Sequence, residues 1–436
     1  MKELLWFCRS SDNSSLSRIT DSLLPKLLDN FKITLLSNKT SLEGIRNVVL
    51  GSDCTTITYK EYLSSQKEIN DKTIRAINMK YAVVQLVDLI YEGNFDWVVL
   101  CNGIYEVNWM TKMLGDSKFL TNKEGKITKL VVWSPIDYIP NKEVLQNIHR
   151  VDLFLTMTPV MADIVKDIIP EIKVNWLGHG SDISLTCTDK STDKSIDDEL
   201  NKLRSKNLIV SRKPFKSSEI IILNANNYGP LDSGTGSGSG TGTGSKSNSG
   251  TRKRLDITLK AFQQIKDPEI KLWIHTNLAS FFEMLALENI LLSTLVDRII
   301  LSDNKNFTSE QLSLIYQRAN ISIQTSWGEG WSLINMESAI YRSLQVVPDF
   351  LACGWHFGSD RGILIPVTKK TIKNEAEIEV IIGEISVNDT QLKLETALDI
   401  VINKPKKLKQ ILDKAETYSK QYTWTSIAER LVTLLS

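Results

Sequence analysis

Apolar positions along this chain follow two rhythms. Short β-rich apolar runs alternate with longer stretches whose apolar residues recur every three to four positions, the pattern of buried strands joined by amphipathic helices. In the first half the runs predict strands over Glu3–Phe7, Ile33–Leu36, Trp97–Leu100, Leu130–Trp133, Phe154–Thr156 and Val174–Trp176. Helical spacing falls on Leu16–Leu28, Ile74–Tyr91 and Met161–Ile168. After a charged stretch, Asp189–Asn207, a second series begins, with strands over Glu219–Leu223, Lys271–His275, Arg298–Leu301, Ile321–Gln324, Gln345–Val347 and Ile363–Ile365. Its helices include Asp256–Ile265, Ser309–Arg318 and Ser332–Arg342. Strands and helices in alternation predict parallel sheets covered on both faces. The expected class is α/β, two Rossmann-like doubly wound domains in series.

Ser233–Gly250 interrupts the second series with a run almost wholly of Gly, Ser and Thr. It cannot bury enough apolar surface to offset its chain entropy, so a flexible coil is expected. A strand ends at Leu223 before it and a helix resumes at Leu255 after it, which places the insert (231–251) in a β–α loop rather than between domains.

Composition adds mainly exclusions. At 436 residues the chain can hold two domains, and 42% hydrophobic with 24% charged residues is ordinary for a globular protein. Lys+Arg of 52 against Asp+Glu of 51 gives a net charge of +1, so no bulk basic field points to nucleic acid. Cys8, Cys54, Cys101, Cys187 and Cys353 are scattered, which argues against structural zinc or a disulfide framework and for a reducing, cytoplasmic setting. The N-terminal apolar run is too short for a signal peptide. Nothing approaches a transmembrane length, so any membrane contact would be peripheral.

Ligands of open α/β sheets bind outside the carboxyl ends of the strands. One such place is Ser326-Trp-Gly-Glu329-Gly330-Trp331-Ser332, leading into a helix that carries Glu337. Strand, glycine turn and helix aim free N–H groups and the positive helix end at an anion. At about 1.5 Å rise per residue the two glutamates stand on the order of 12 Å apart, too far to share a metal ion. A ligand touching both is long with a negative middle, the shape of a nucleotide diphosphate sugar. A second place is Arg252-Lys253-Arg254-Leu-Asp256, where three cations at a helix start oppose the dipole unless an anion lies nearby. A third is Asn224-Ala-Asn-Asn227.

Together these residues resemble the retaining glycosyltransferases of family 4. Their E-x7-E element is matched by Glu329…Glu337, their basic segment by Arg252–Asp256, and an interdomain H-G-V-D-like element by His179-Gly-Ser-Asp182. The resemblance implies the GT-B fold, with domains at 1–180 and 181–416 facing each other across a cleft and a last helix, 417–436, returning to the first domain. The sequence departs from the family at Ser332, where glycine is usual, and at Asn227, where arginine is common. The Gly/Ser insert further separates Asn227 from Lys253.

Carried over, the family assigns Glu329 to the donor sugar and Glu337 to the ribose hydroxyls. Lys253, with Arg252 or Arg254, neutralises the leaving diphosphate, and backbone N–H groups around Gly330–Ser332 hold the phosphates, with Trp331 and Asn227 beside them. No metal is expected, since no D-x-D motif flanked by apolar residues is present, and no cofactor. The acceptor, a hydroxyl of a glycan or other molecule, falls to the first domain, where Arg9–Ser15, Asn102-Gly103 and Pro135-Ile136-Asp137-Tyr138 follow strands. Asp137 and His179 are the catalytic candidates there; His149, His275 and His356 have no partner spacing for metal or proton transfer. The implied activity is metal-independent transfer of a hexose with retention. The alternatives are a GT-B protein that binds nucleotide sugars or glycans without turnover, and a GT-B epimerase.

Overall fold

The structure is a computed structural model that describes residues 1–8, 15–37, 42–49, 71–115, 117–181, 193–226, 252–358, 360–373 and 378–436. Asn227, Asp182, Arg9–Ser14 and the Gly/Ser insert lie outside the described residues.

Seven parallel strands form the first sheet: β1 (Lys2–Cys8), β2 (Phe31–Ser37), β3 (Arg46–Val49), β4 (Trp97–Cys101), β5 (Lys129–Trp133), β6 (Leu153–Thr156) and β7 (Val174–Trp176). Their order is β3-β2-β1-β4-β5-β6-β7. Helices α1 (Ser15–Leu23), α2 (Asp71–Glu92), α3 (Ile104–Leu114) and α4 (Pro159–Ile168) cover it. The unbroken apolar run of β1 has a direct cause. Leu4, Trp6 and Cys8 enter one core while Leu5 and Phe7 enter the core on the opposite face. A strand buried on both sides has no polar face to show.

The second sheet repeats the plan. Its strands are β8 (Ile209–Val210), β9 (Ile220–Ala225), β10 (Ile270–Thr276), β11 (Ile299–Asp303), β12 (Ile321–Ile323), β13 (Leu344–Pro348) and β14 (Ile363–Ile365), in the order β14-β13-β12-β9-β10-β11-β8. Only β8 runs antiparallel to its neighbour. The helices are α5 (Asp193–Ser205), α6 (Leu255–Phe262), α7 (Leu278–Leu287), α8 (Ser309–Arg318), α9 (Leu333–Ile340), α10 (Leu351–Phe357), α11 (Val387–Asn403) and α12 (Pro405–Ser419). A hairpin, β15 (Thr368–Lys373) and β16 (Glu379–Glu384), stands apart from the sheet, and α13 (Trp424–Leu435) ends the chain. In each sheet the strand order reverses beside the first long strand, between β1 and β4 and between β9 and β12. Those are the crevices where this architecture binds ligands.

Several elements escape the sequence pattern. β3, β8 and the hairpin are short or polar, and α3 and α7 were not predicted. The charged stretch before the second series is largely α5, an amphipathic helix whose Ile196, Leu200 and Leu203 are buried against the second sheet. The helix after β12 starts only at Leu333, so Glu329 precedes it in the turn. The 12 Å axial estimate therefore holds only for the part from Leu333 onward.

Helix α13 buries Trp424, Ile427, Leu431 and Leu435 with Leu4, Trp6, Leu23 and Leu27 of the first domain. Lys2 Nζ donates to the carbonyl oxygens of Leu435 and Ser436 at 3.0 and 2.9 Å, so the end of the chain is fastened to its beginning. The hairpin reaches the first domain too, where Ile139 and Ile381 exchange both backbone hydrogen bonds. No helix among the described residues is long and apolar enough to cross a membrane.

Candidate active site

The loops after β9 and β12 flank the crevice of the second sheet, and both carry charge into it. The backbone of the basic segment is clamped to the β12 loop. Trp327 N donates to Arg252 O at 3.0 Å, and Thr325 Oγ1 reaches the carbonyl oxygens of Lys253 at 3.2 Å and Arg254 at 2.9 Å. Thr325 is itself the end of a buried chain of donors. Thr276 donates to Asn226, Asn226 to Asn224, and Asn224 to Thr258, whose hydroxyl lies 2.9 Å from that of Thr325. Every side chain in this line is buried. A satisfied polar line in a low-dielectric core fixes geometry, because each broken link leaves a group unpaired.

Held in this way, Lys253 Nζ donates to Glu329 Oε1 at 2.6 Å, and Arg252 Nη1 lies 3.1 Å from the same oxygen. Arg252 Nη1 also donates to Gly328 O at 2.8 Å and lies 3.4 Å from Asp137 Oδ2. Asp137 follows β5 of the first domain, so the cluster bridges both domains. Its other oxygen, Oδ1, accepts from Gly330 N at 2.6 Å. The contact is close enough to require glycine, since a Cβ on Gly328 would stand 2.0 Å from Asp137 O.

The four charged side chains are 10 to 19% exposed, so little water screens them. Burial works to raise the Glu329 carboxyl, but Arg252 and then Lys253 outweigh it and hold it at about 2. Asp137 goes the other way. Burial raises it, and Glu329 adds repulsion, against the pull of Arg252. The same two carboxylates, outweighing its burial, push the Arg252 guanidinium above its usual range. Two cations and two carboxylates thus balance across the domain contact.

The remaining predicted residues are placed around this cluster. Glu337 lies on α9 with Oε1 2.5 Å from Arg18 Nη2 and Oε2 accepting from Tyr316 OH at 3.1 Å. Arg254 sits in the left-handed region at φ 44° and forks onto Asp256, both contacts at 3.1 Å. Among the described residues its ion pair is therefore with its own helix and not with Glu329. Ser332 also has a positive φ, 63°, the backbone that makes glycine usual at such a turn. Its hydroxyl is tied to Asn335 and Cys353 at 2.7 and 3.3 Å. Trp331 packs over Gly178, where a Cβ would stand 2.4 Å from the indole, and against His356 and Tyr422. His179 is buried with its ring 4.5 Å from that of Trp424 and Nδ1 2.5 Å from Gly180 O, which places it in the packing under α13. Among the described residues no three His, Cys, Asp or Glu side chains group so as to hold a metal ion.

Arg18 and Thr325 were missed in the sequence. Arg18 is one arginine on a polar helix, and nothing local marks it as the partner of Glu337, 319 positions away. Thr325 carried a weak signal, a hydroxyl immediately after the strand that leads to Glu329.

No protein-family model matches the chain, and no curated protein matches it in sequence. Solved structures do resemble it in three dimensions. A sucrose-phosphate synthase from Thermosynechococcus elongatus superposes with a TM-score of 0.66 at 11% identity, covering 100% of this chain and 98% of that one. A glycosyltransferase from Rickettsia africae gives 0.65 at 12% identity, covering 100% and 97%. Anabaena HepE in complex with UDP-glucose gives 0.63 at 10%, covering 100% and 99%. With two parallel-sheet domains joined end to end in this order, the chain has the GT-B glycosyltransferase fold.

Proposed function

We propose that this protein is a hexosyltransferase that moves a sugar from a nucleotide diphosphate donor to a hydroxyl acceptor, with retention and without a metal ion. The observation that carries this is the convergence of Arg252, Lys253 and Glu329 at the reversal of the second sheet. Structures with the same fold are described in complex with UDP and UDP-glucose, which supports a nucleotide sugar as the ligand class.

In this reading Lys253 and Arg252 face the leaving diphosphate, Glu329 the sugar and Glu337 the ribose. Gly330–Ser332 supplies N–H groups to the phosphates. The bond from the sugar C1 to the diphosphate oxygen breaks as C1 bonds to the acceptor oxygen on the same face. The acceptor proton passes to the departing phosphate oxygen. Negative charge builds on the diphosphate, and fixed cations in a dry site are the strongest means of stabilising it. Domain closure keeps water from taking the acceptor's place.

A second reading, binding without turnover, is favoured by one observation: Glu329 already pairs with both cations. The two separate in one assay. Labelled UDP-, GDP-, dTDP- and ADP-sugars are scored for melting shift and for hydrolysis or transfer. Transfer with at least one donor, abolished in Glu329→Gln by a hundredfold or more, is the expected result. Melting shifts without any turnover would establish the binding protein instead.

A further inference from the structure

The first domain meets the second through hydrogen bonds of a particular polarity. At one end Asp137 offers carboxylate oxygens to Gly330 N–H and Arg252, at 2.6 and 3.4 Å. At the other, Arg18 Nη2 approaches Glu337 Oε1 at 2.5 Å. A nucleotide diphosphate donor has the same sequence of properties. Its phosphates are anionic acceptors, and its ribose hydroxyls are donors. Arg252 Nε is buried without a hydrogen-bond partner among the described residues, so the guanidinium keeps a donor that Asp137 and Glu329 leave unused. A phosphate, with three oxygens in place of two, has an oxygen to spare for it.

We infer that Asp137 and Arg18 together imitate the donor, closing the site against the second domain so that a nucleotide diphosphate binds only by displacing them. This rests on the proposed donor site. The geometry makes the two states mutually exclusive. With a Cβ on Gly328 excluded by Asp137 O, the loops around Gly328 and Asp137 are in direct backbone contact and leave no layer for a ligand between them. Glu337 likewise has both oxygens engaged, by Arg18 and Tyr316. A site occupied by its own chain binds more weakly by the fraction of molecules that are open.

Inorganic pyrophosphate is the probe, because it carries the anion without base, ribose or sugar. Its affinity is measured by calorimetry for the full-length protein, Asp137→Asn and Arg18→Gln, with small-angle scattering on each without ligand. Asp137→Asn is expected to bind about tenfold more tightly and to be more extended, as closure weakens. Arg18→Gln is the decisive second variant. Arg18 is partly exposed and lies at the ribose end, so it touches no phosphate contact. It is expected to tighten pyrophosphate binding as well, because both contacts hold the same closed state. Equal affinities in all three proteins overturn the mimicry and leave the donor site standing. Absence of binding to any of them overturns both.

Discussion

At the scale of single residues, burial decides which groups change charge with pH. His356 is pushed down to about 3 and His275 to about 4, in both cases chiefly by burial. Folding therefore favours the neutral ring. The resulting stability is fully present above the ordinary histidine value near 6.5 and is lost as pH falls below it. Between pH 6.5 and 5 the unfolded chain holds from about half to nearly one proton more per histidine than the folded one, which amounts to roughly 1.5 kcal/mol each. Glu329 acts in a different window. Its carboxyl is depressed, so its contribution is present above the usual 4.5 and is lost only as pH falls toward 2. Urea denaturation at pH 6.5 and 5 should show the histidine loss, and His356→Gln should remove about half of that slope whatever it does to stability at pH 7.

At the scale of elements, two loops and a strand end carry the site. The turn at Gly328 docks onto the loop after β5 with no room for a side chain. Gly328→Ala is expected to hold the domains apart without altering any charge, seen as a larger radius of gyration with little change in melting temperature. The line of buried donors beneath the basic segment ends at Thr325, whose hydroxyl satisfies the backbone of Lys253 and Arg254. Thr325→Val keeps the shape and removes the hydroxyl. It should cost about 1–3 kcal/mol in chemical denaturation, because it takes a partner from the buried Thr258 hydroxyl and from the Lys253 carbonyl. It should also lower kcat more than it raises KM if Lys253 acts on the leaving group, and Thr325→Ser should restore much of both. Arg254, at the same turn, is occupied with Asp256 and shapes the start of α6.

At the scale of the whole molecule, the chain closes on itself. Helix α13 completes the core of the first domain, and Trp424 packs on His179 and against Gly180, where a Cβ would stand 2.5 Å from the indole. Trp424→Ala should cost about 3–5 kcal/mol, measured by denaturant midpoint, and lower the cooperativity between domains. Strand and helix periodicity made the two doubly wound domains legible, because a two-sided core demands unbroken apolar runs wherever β1 or the first half of β9 passes through it. The charged groups of the crevice were legible for a similar reason: Arg252, Lys253 and Glu329 each come after a strand, and the position of a strand end can be read from local pattern. What the sequence determined by itself was therefore the fold class and the side chains aimed into one crevice. Which charges meet there was decided only by the tertiary structure. Asp137 and Arg18 lie 115 and 319 positions from their partners Arg252 and Glu337, and ion pairs of that separation depend on how two domains dock, for which the local chain pattern contains no term.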